Sequence, residues 1–302
     1  MSTLIKAQGV TKYFGSKLAL SNVSFEINTG PPVALVGPNG AGKTTLFSLL
    51  CGYVFPSSGE LNIMHQQPGN AHLFGKLSAL PQDAQLDPGF SIIHQLTFYA
   101  QLQGFSKSQA KQESDRVLEL VGLSNAVNQR PNDLSHGMRK RAIIAQALIG
   151  SPQIVLLDEA TAGLDPVHAR EVRELISTLS NQATFILSSH DLSELERLCG
   201  QILHLDQGKL TEHNALSQST SNQHFVTLRL AQKYKDVEKK LFALAGVRNV
   251  HNSQAKEYVI EYEKSVEAFD IQLLQYCHQQ GWQYQQLVNG NTLENQIFHK
   301  EH

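Results

Sequence analysis

The run Gly37-Pro38-Asn39-Gly40-Ala41-Gly42-Lys43-Thr44 fits the pattern G-x-x-x-x-G-K-[ST], with Thr45 directly after it. Residues of these types at this spacing bind phosphate. The glycines let backbone N–H groups turn inward and approach phosphate oxygens with no side chain in the way. An apolar run, Val33–Val36, precedes the pattern and a helical run, TTLFSLLCGY, follows it. A helix N-terminus therefore adds partial positive charge at the same point. Lys43 is placed to reach the β- and γ-phosphates of ATP, and the Thr44 hydroxyl to bind Mg2+.

A magnesium-bound triphosphate also needs a carboxylate beside the metal and a group that activates water. Ile154-Val155-Leu156-Leu157-Asp158-Glu159 delivers two carboxylates at the end of an apolar strand, the end at which α/β sheets gather their ligands. Asp158 suits the metal's outer shell. Glu159 is a candidate general base, a role worth on the order of 10² to 10⁴ in rate. Two adjacent carboxylates elsewhere would read as a solvated surface pair, but the apolar strand leading into these argues for a site.

The elements that must position these residues are legible in outline. Val33–Val36, Ile154–Leu157, Phe185–Leu187 and Ile202–Leu205 are short apolar runs followed by turn or helix-start residues, as in buried parallel strands. Asp165-Pro166 starts a helix as cap and first-turn proline, and Val172, Leu175, Ile176 and Leu179 then share one face. Ser91 to Val127 carries only helical patterns, which predicts a helical insertion over about residues 88–135. After Gly208 the texture changes. HNALSQSTSNQ, residues 213–223, has the composition of a linker. Residues 224–302 then read strand, helix, strand, strand, helix, strand, the ferredoxin-like order.

Composition bounds what surrounds the site. A chain of 302 residues accommodates a large α/β domain and a small second one. Its net charge of -2 supplies no electrostatic footprint for nucleic acid, so no such partner is expected. No apolar run approaches the ~18 to 20 residues that span a bilayer, and MSTLIKAQGV lacks the features of a secretion signal. Cys51, Cys199 and Cys277 stand far apart and in no metal-like pair, which suits packed free thiols in a reducing, cytoplasmic compartment. His299 and His302 read as a polar tail in preference to a metal site.

Leu134-Ser135-His136-Gly137-Met138 lies between the two motifs. With it, residues 4 to 210 resemble the nucleotide-binding subunit of an ABC transporter, the single cassette and small C-terminal domain being most similar to the ABC-2 exporter group. The resemblance implies an α/β P-loop NTPase cassette over 1–212, with a mixed sheet core, an antiparallel β lobe and the helical insertion, then a linker over 213–223 and a small α+β ferredoxin-like domain over 224–302. It implies ATP and Mg2+ as cofactors and hydrolysis as the activity. It also implies a second copy closing head-to-tail on two ATP molecules, and separate transmembrane permease subunits that hold the chain at the inner face of the cell membrane. Ser135 and Gly137 match the signature loop, which meets the γ-phosphate of nucleotide held by the other copy. Gln82, in Leu80-Pro81-Gln82, matches the Q-loop glutamine that touches Mg2+ and senses the membrane partner. Asp165, in Gly163-Leu164-Asp165, is similar to the D-loop residue at the dimer interface. His190 matches the switch histidine. Phe14 occupies the place of the aromatic that stacks on adenine, with Tyr13 beside it as the alternative.

The chain departs from the family pattern in three places. The usual Leu-Ser-Gly-Gly-Gln reads Leu-Ser-His-Gly-Met here, so His136 brings a ring and Met138 an apolar chain near the interface. Ala160 follows Glu159 where the family prefers proline. Pro31-Pro32 precedes the first core strand and removes N–H donors only at its start. The rival reading is a soluble cassette ATPase acting on ribosomes or DNA. Such proteins usually carry two cassettes, or coiled-coil or zinc insertions, in one chain, and this sequence has neither. A third reading makes the C-terminal domain a regulatory ligand sensor, which its fold alone does not decide.

Overall fold

The four apolar runs become the inner strands of one six-stranded sheet. They are β3 (Val33–Val36), β6 (Ile154–Asp158), β7 (Thr184–Ser189) and β8 (Gln201–Asp206). The structure, a computed structural model, describes residues 2–190, 195, 198–214, 223–263 and 265–290. Two further strands, β5 (Leu77–Leu80) and β9 (Lys209–Asn214), complete the order β5-β6-β7-β3-β8-β9. All neighbours pair parallel except β8 with β9, which are antiparallel. Every residue of β3 and of β7 is buried, the pattern of strands covered on both faces. Pro31 and Pro32 sit just before β3, so its ladder loses no donor.

The flanking strands were not apparent as apolar runs. β5 is short and only half-buried at the sheet edge, and β9 is polar. β9 forms because Gln207 and Gly208 both take positive φ, 44° and 78°, the requirement of a tight two-residue hairpin turn. The strand runs on to Asn214, into the first residues of the segment read as a linker, and β10 (Gln223–Leu230) starts at its last one. Residues 215–222 of that segment lie outside the described residues.

A second sheet forms the antiparallel lobe, in the order β2-β1-β4, from β1 (Thr3–Phe14), β2 (Lys17–Asn28) and β4 (Ser58–Ile63). Burial alternates along β2, and Ile5, Leu20, Ile27, Leu35, Leu46 and Leu156 share one core. The lobe thus packs on the helix that follows the phosphate loop, α1 (Lys43–Leu50), and on the central sheet.

The helical insertion contains α2 (Ile92–Leu102) and α3 (Lys107–Leu120), the latter opened by a capping box between Ser106 and Gln109. α4 (His136–Ala147) then leads back to β6, and α5 (Pro166–Leu179) connects β6 to β7. In α5, Ala169, Val172, Ile176 and Leu179 are buried, with Leu175 half-buried at the border of the stripe.

The chain divides into two compact units, Met1–Leu216 and Ser217–His302. In the second, β10, β11 (Val247–Gln254), β12 (Glu257–Glu263) and β13 (Tyr284–Asn289) form an all-antiparallel sheet in the order β11-β12-β10-β13. With helices Val237–Phe242 and Phe269–Gln279, this is the ferredoxin-like arrangement. Asp236 and Ala268, the N-caps of these helices, take left-handed φ of 57° and 51°, which sets where each helix starts. Val226, Leu228, Ile260, Leu273 and Trp282 form the core. His299 and His302 lie outside the described residues. The three cysteines are free thiols, and burial pushes Cys51 and Cys277 up to about 11 and Cys199 up to about 12. They are poor nucleophiles at neutral pH.

Candidate functional site

The phosphate loop runs from the C-terminal end of β3 into α1. Gly42 is the N-cap of α1 with φ 114°, and a Cβ there would lie 2.8 Å from the Ala19 carbonyl oxygen. Only glycine meets both conditions. The first N–H groups of α1 have no intrahelical acceptor and face outward from the helix end. Lys43 is buried, and its ammonium donates to the carbonyls of Gly37 at 2.6 Å and Pro38 at 3.2 Å. The Pro38 carbonyl also accepts from Ala41 N–H, and the Ala41 carbonyl accepts from Gly208 N–H at 3.0 Å. The β8–β9 turn therefore braces the loop from behind.

A cavity of about 410 Å³ opens in front of this loop. Asn39, Gly40, Gly42, Lys43, Thr44 and Thr45 line one side, and Gln82, Asp158 and Glu159 another. Phe14 lines it as well, and Tyr13 is not among its lining residues. The Phe14 ring is half-exposed and backed by Lys12, whose ammonium lies 5.0 Å from the ring centroid and donates to the Phe55 carbonyl. Lys17 and Gln207 also line the cavity. They were missed because a lone polar residue at a strand start, as Lys17 is, or in a turn, as Gln207 is, carries no spacing signal.

The two carboxylates diverge at the end of β6. Asp158 is the last residue of the strand, and Glu159 turns the chain with φ 49°. Glu159 is only 8% exposed, and both its carboxylate oxygens lie 3.1 Å from Nδ1 of His190. The His190 side chain is 64% exposed, so it holds Glu159 from the solvent side. Lys140, in α4, feels the same carboxylate. Burial pushes its ammonium below the usual lysine range, and the Glu159 charge acts against that shift. Ser188, in β7, stands between the two acids. Its hydroxyl accepts from Glu159 N–H at 3.0 Å and donates to Asp158. In the sequence it is one of three hydroxyl residues, with Thr184 and Ser189, in a buried strand, and nothing there marks it apart from the other two.

Ser135, Gly137 and Asp165 are not among the residues lining this cavity. Ser135 is the N-cap of α4, and its side chain accepts from Met138 N–H at 3.2 Å. That leaves the hydroxyl proton available to a ligand. Asp165 caps α5, accepting from the N–H groups of Val167 and His168, and its carboxylate lies 2.5 Å from His168 Nδ1. This contact holds the Asp165 carboxyl below its usual range and raises the His168 imidazole above its own. His136 lines a separate cavity of about 370 Å³, together with Gln85, Arg139, Lys140 and Leu164.

Comparison with known proteins identifies the family. The family described as ABC transporter matches residues 20–162. The Nod factor export ATP-binding protein I of Cupriavidus metallidurans is 35% identical over 214 residues, which cover 69% of this chain and 70% of the relative. Among solved structures, cbiO1 from Clostridium perfringens, part of the cbiONQ ABC transporter complex, superposes with a TM-score of 0.66 at 25% identity. That alignment covers 71% of this chain and 90% of cbiO1. A dimeric, post-hydrolysis ATP-binding cassette bound to ADP and Pi superposes at 0.61 and 25% identity, over 70% of this chain and 99% of the cassette. These relatives are transporter subunits, which favours transport over action on ribosomes or DNA. The chain is thus a member of the ABC transporter family, an ATP-binding and ATP-hydrolysing subunit of such a transporter.

Proposed function

We propose that two copies of this chain close head-to-tail around two MgATP molecules and drive separate permease subunits from the inner face of the membrane, in the direction of export. The observation that carries this reading is the incomplete cavity: it gathers Lys43, Thr44, Gln82, Asp158 and Glu159 but neither Ser135 nor Gly137. A second copy presenting its signature loop would supply the missing wall. The solved dimeric cassette and the exporting relative support the dimer and the direction. Among the described residues no helix is long and apolar enough to cross a membrane, which suits a subunit that needs a separate permease.

Thr44, Gln82 and Asp158 offer hydroxyl, amide and carboxylate oxygens around one cavity, the hard-donor set that magnesium takes. Among the described residues no cluster of His, Cys, Asp and Glu competes for a metal. When bound, Mg2+ would neutralise charge on the β- and γ-phosphates. Lys43 would leave the loop carbonyls for the same oxygens, and Phe14 would stack on the adenine. Glu159 would take a proton from the attacking water as its oxygen bonds to the γ-phosphorus and the bond to the bridging oxygen breaks, giving ADP and phosphate. His190 holds Glu159 in place for that step. In this scheme the Asp165–His168 pair stiffens the D-loop at the interface, and ATP-driven closure would move permease helices docked near Gln82 and the helical insertion.

The test is Glu159→Gln. The variant should bind MgATP, elute as a dimer in size-exclusion chromatography, and lose nearly all hydrolysis. Elution only as a monomer at saturating MgATP would contradict the two-copy site.

A further inference from the structure

We propose that Ser188 is a positioning residue for ATP hydrolysis, orienting both acids of the site through one hydroxyl. The proposal rests on Asp158 serving the metal side and Glu159 the water.

β7 pairs with β6 in parallel, and Ser188 lies directly beside Asp158 in the register. Ser188 is 3% exposed within a strand whose residues are all buried. A buried hydroxyl must find partners, and here the roles are unambiguous. The Glu159 N–H can only donate and the Asp158 carboxylate can only accept, so the single hydroxyl proton goes to Asp158.

Two consequences follow for the site. One oxygen of Asp158 is committed to Ser188, which leaves the other for the cavity. The second concerns Glu159, whose φ of 49° lies in the left-handed region that non-glycine residues avoid. Such a conformation persists only where its surroundings over-determine it. The Ser188 acceptor fixes its N–H at 3.0 Å, and Ala162 N–H holds its carbonyl at 3.1 Å. With the backbone pinned on both sides, the Glu159 side chain points to His190. Ser188 lines neither cavity and acts through the two acids.

Three variants test this in the full-length protein. Ser188→Ala deletes the hydroxyl, whereas Ser188→Thr keeps it and Ser188→Val replaces it at equal volume. Measured beside them are ATPase kcat and KM, Mn2+ affinity of the ADP-bound protein by electron paramagnetic resonance, and thermal melting. Loss of a residue that orients metal-side ligands costs about 10- to 100-fold in activity or metal affinity. Ser188→Ala and Ser188→Val should therefore lower kcat about 10-fold or more and weaken Mn2+ binding by a similar factor, with KM for ATP within about 2-fold. Ser188→Thr should keep both near wild type. If Ser188→Ala does not fold, the Thr and Val pair gives the same reading. Wild-type kcat and Mn2+ affinity in the Val variant would overturn the proposal. So would equal losses in the Thr and Val variants, which would mean that only the shape of position 188 matters. Glu159→Gln run in parallel separates the two levels: if it still hydrolyses ATP, the assignment of Glu159 fails, whatever Ser188 does.

Discussion

The imidazole of His168 fills the space into which a side chain on Gly137 would project. A Cβ on Gly137 would lie 2.3 Å from His168 Cδ2, closer than any side chain tolerates. His168 cannot swing aside freely, because Asp165 holds its Nδ1 at 2.5 Å. The start of α4 and the start of α5 are therefore matched, one glycine to one ring.

Gly137→Ala tests this match. Alanine is the better helix former by about 0.5–1 kcal/mol, but overpacking a fixed ring costs about 1–3 kcal/mol. The clash should win, lowering both melting temperature and ATPase rate. Adding His168→Ala to Gly137→Ala should recover most of the stability, a coupling that a double-mutant cycle measures directly. Additive effects would show that the two residues do not touch in solution.

The same pair sets a pH dependence. His168 is raised above its ordinary 6.5 by the Asp165 carboxylate, so its contribution is complete below about pH 6.5 and is lost as pH rises through the raised value. Asp165 is held below its ordinary 3.8 by the same contact, so its contribution is present above that pH and is lost as pH falls through the depressed value. The melting-temperature gap between wild type and His168→Ala should be widest between those limits and shrink on either side. A gap that does not change with pH would rule out the ion pair.

Phe14→Ala should raise KM for ATP by roughly 10-fold with little change in kcat, since stacking on a base is worth about 1–3 kcal/mol. Phe14→Tyr should keep the wild-type KM. Tyr13→Ala should leave it unchanged, because Tyr13 is not among the cavity's lining residues. The reverse pattern in a steady-state titration would move the adenine platform to Tyr13.

His136→Gly combined with Met138→Gln returns the signature loop to the family pattern. His136 is the first residue of α4 and lines a cavity beside Gln85 and Lys140, away from the phosphate loop. The double variant should hydrolyse ATP at the wild-type rate or faster. A large loss in the same assay would mean that this loop has come to depend on its own side chains.

Residues whose chemistry needs local spacing were legible before any coordinates. The phosphate loop is contiguous, and Asp158 and Glu159 are adjacent at the end of an unbroken apolar strand. Buried parallel strands announce themselves because both faces are covered, which is why β3 and β6 matched their apolar runs within one residue. The edges were hidden for the opposite reason. β9 is polar and exists because of a two-residue turn. Ser188 and His168 were hidden differently. Each acts on a residue about 30 positions away in the chain, and only the strand register and the helix packing bring them together.

The central claim is that each site is shared between two copies, and mixing two inactive variants tests it most directly. Lys43→Ala disables the phosphate loop and Ser135→Arg the signature loop, so each homodimer should be inactive. In a head-to-tail pair of unlike copies, one site regains an intact phosphate loop facing an intact signature loop. Statistical pairing then predicts about a quarter of the wild-type ATPase rate in an equimolar mixture. A mixture no more active than its separate components would contradict a site completed by Ser135 of a second copy.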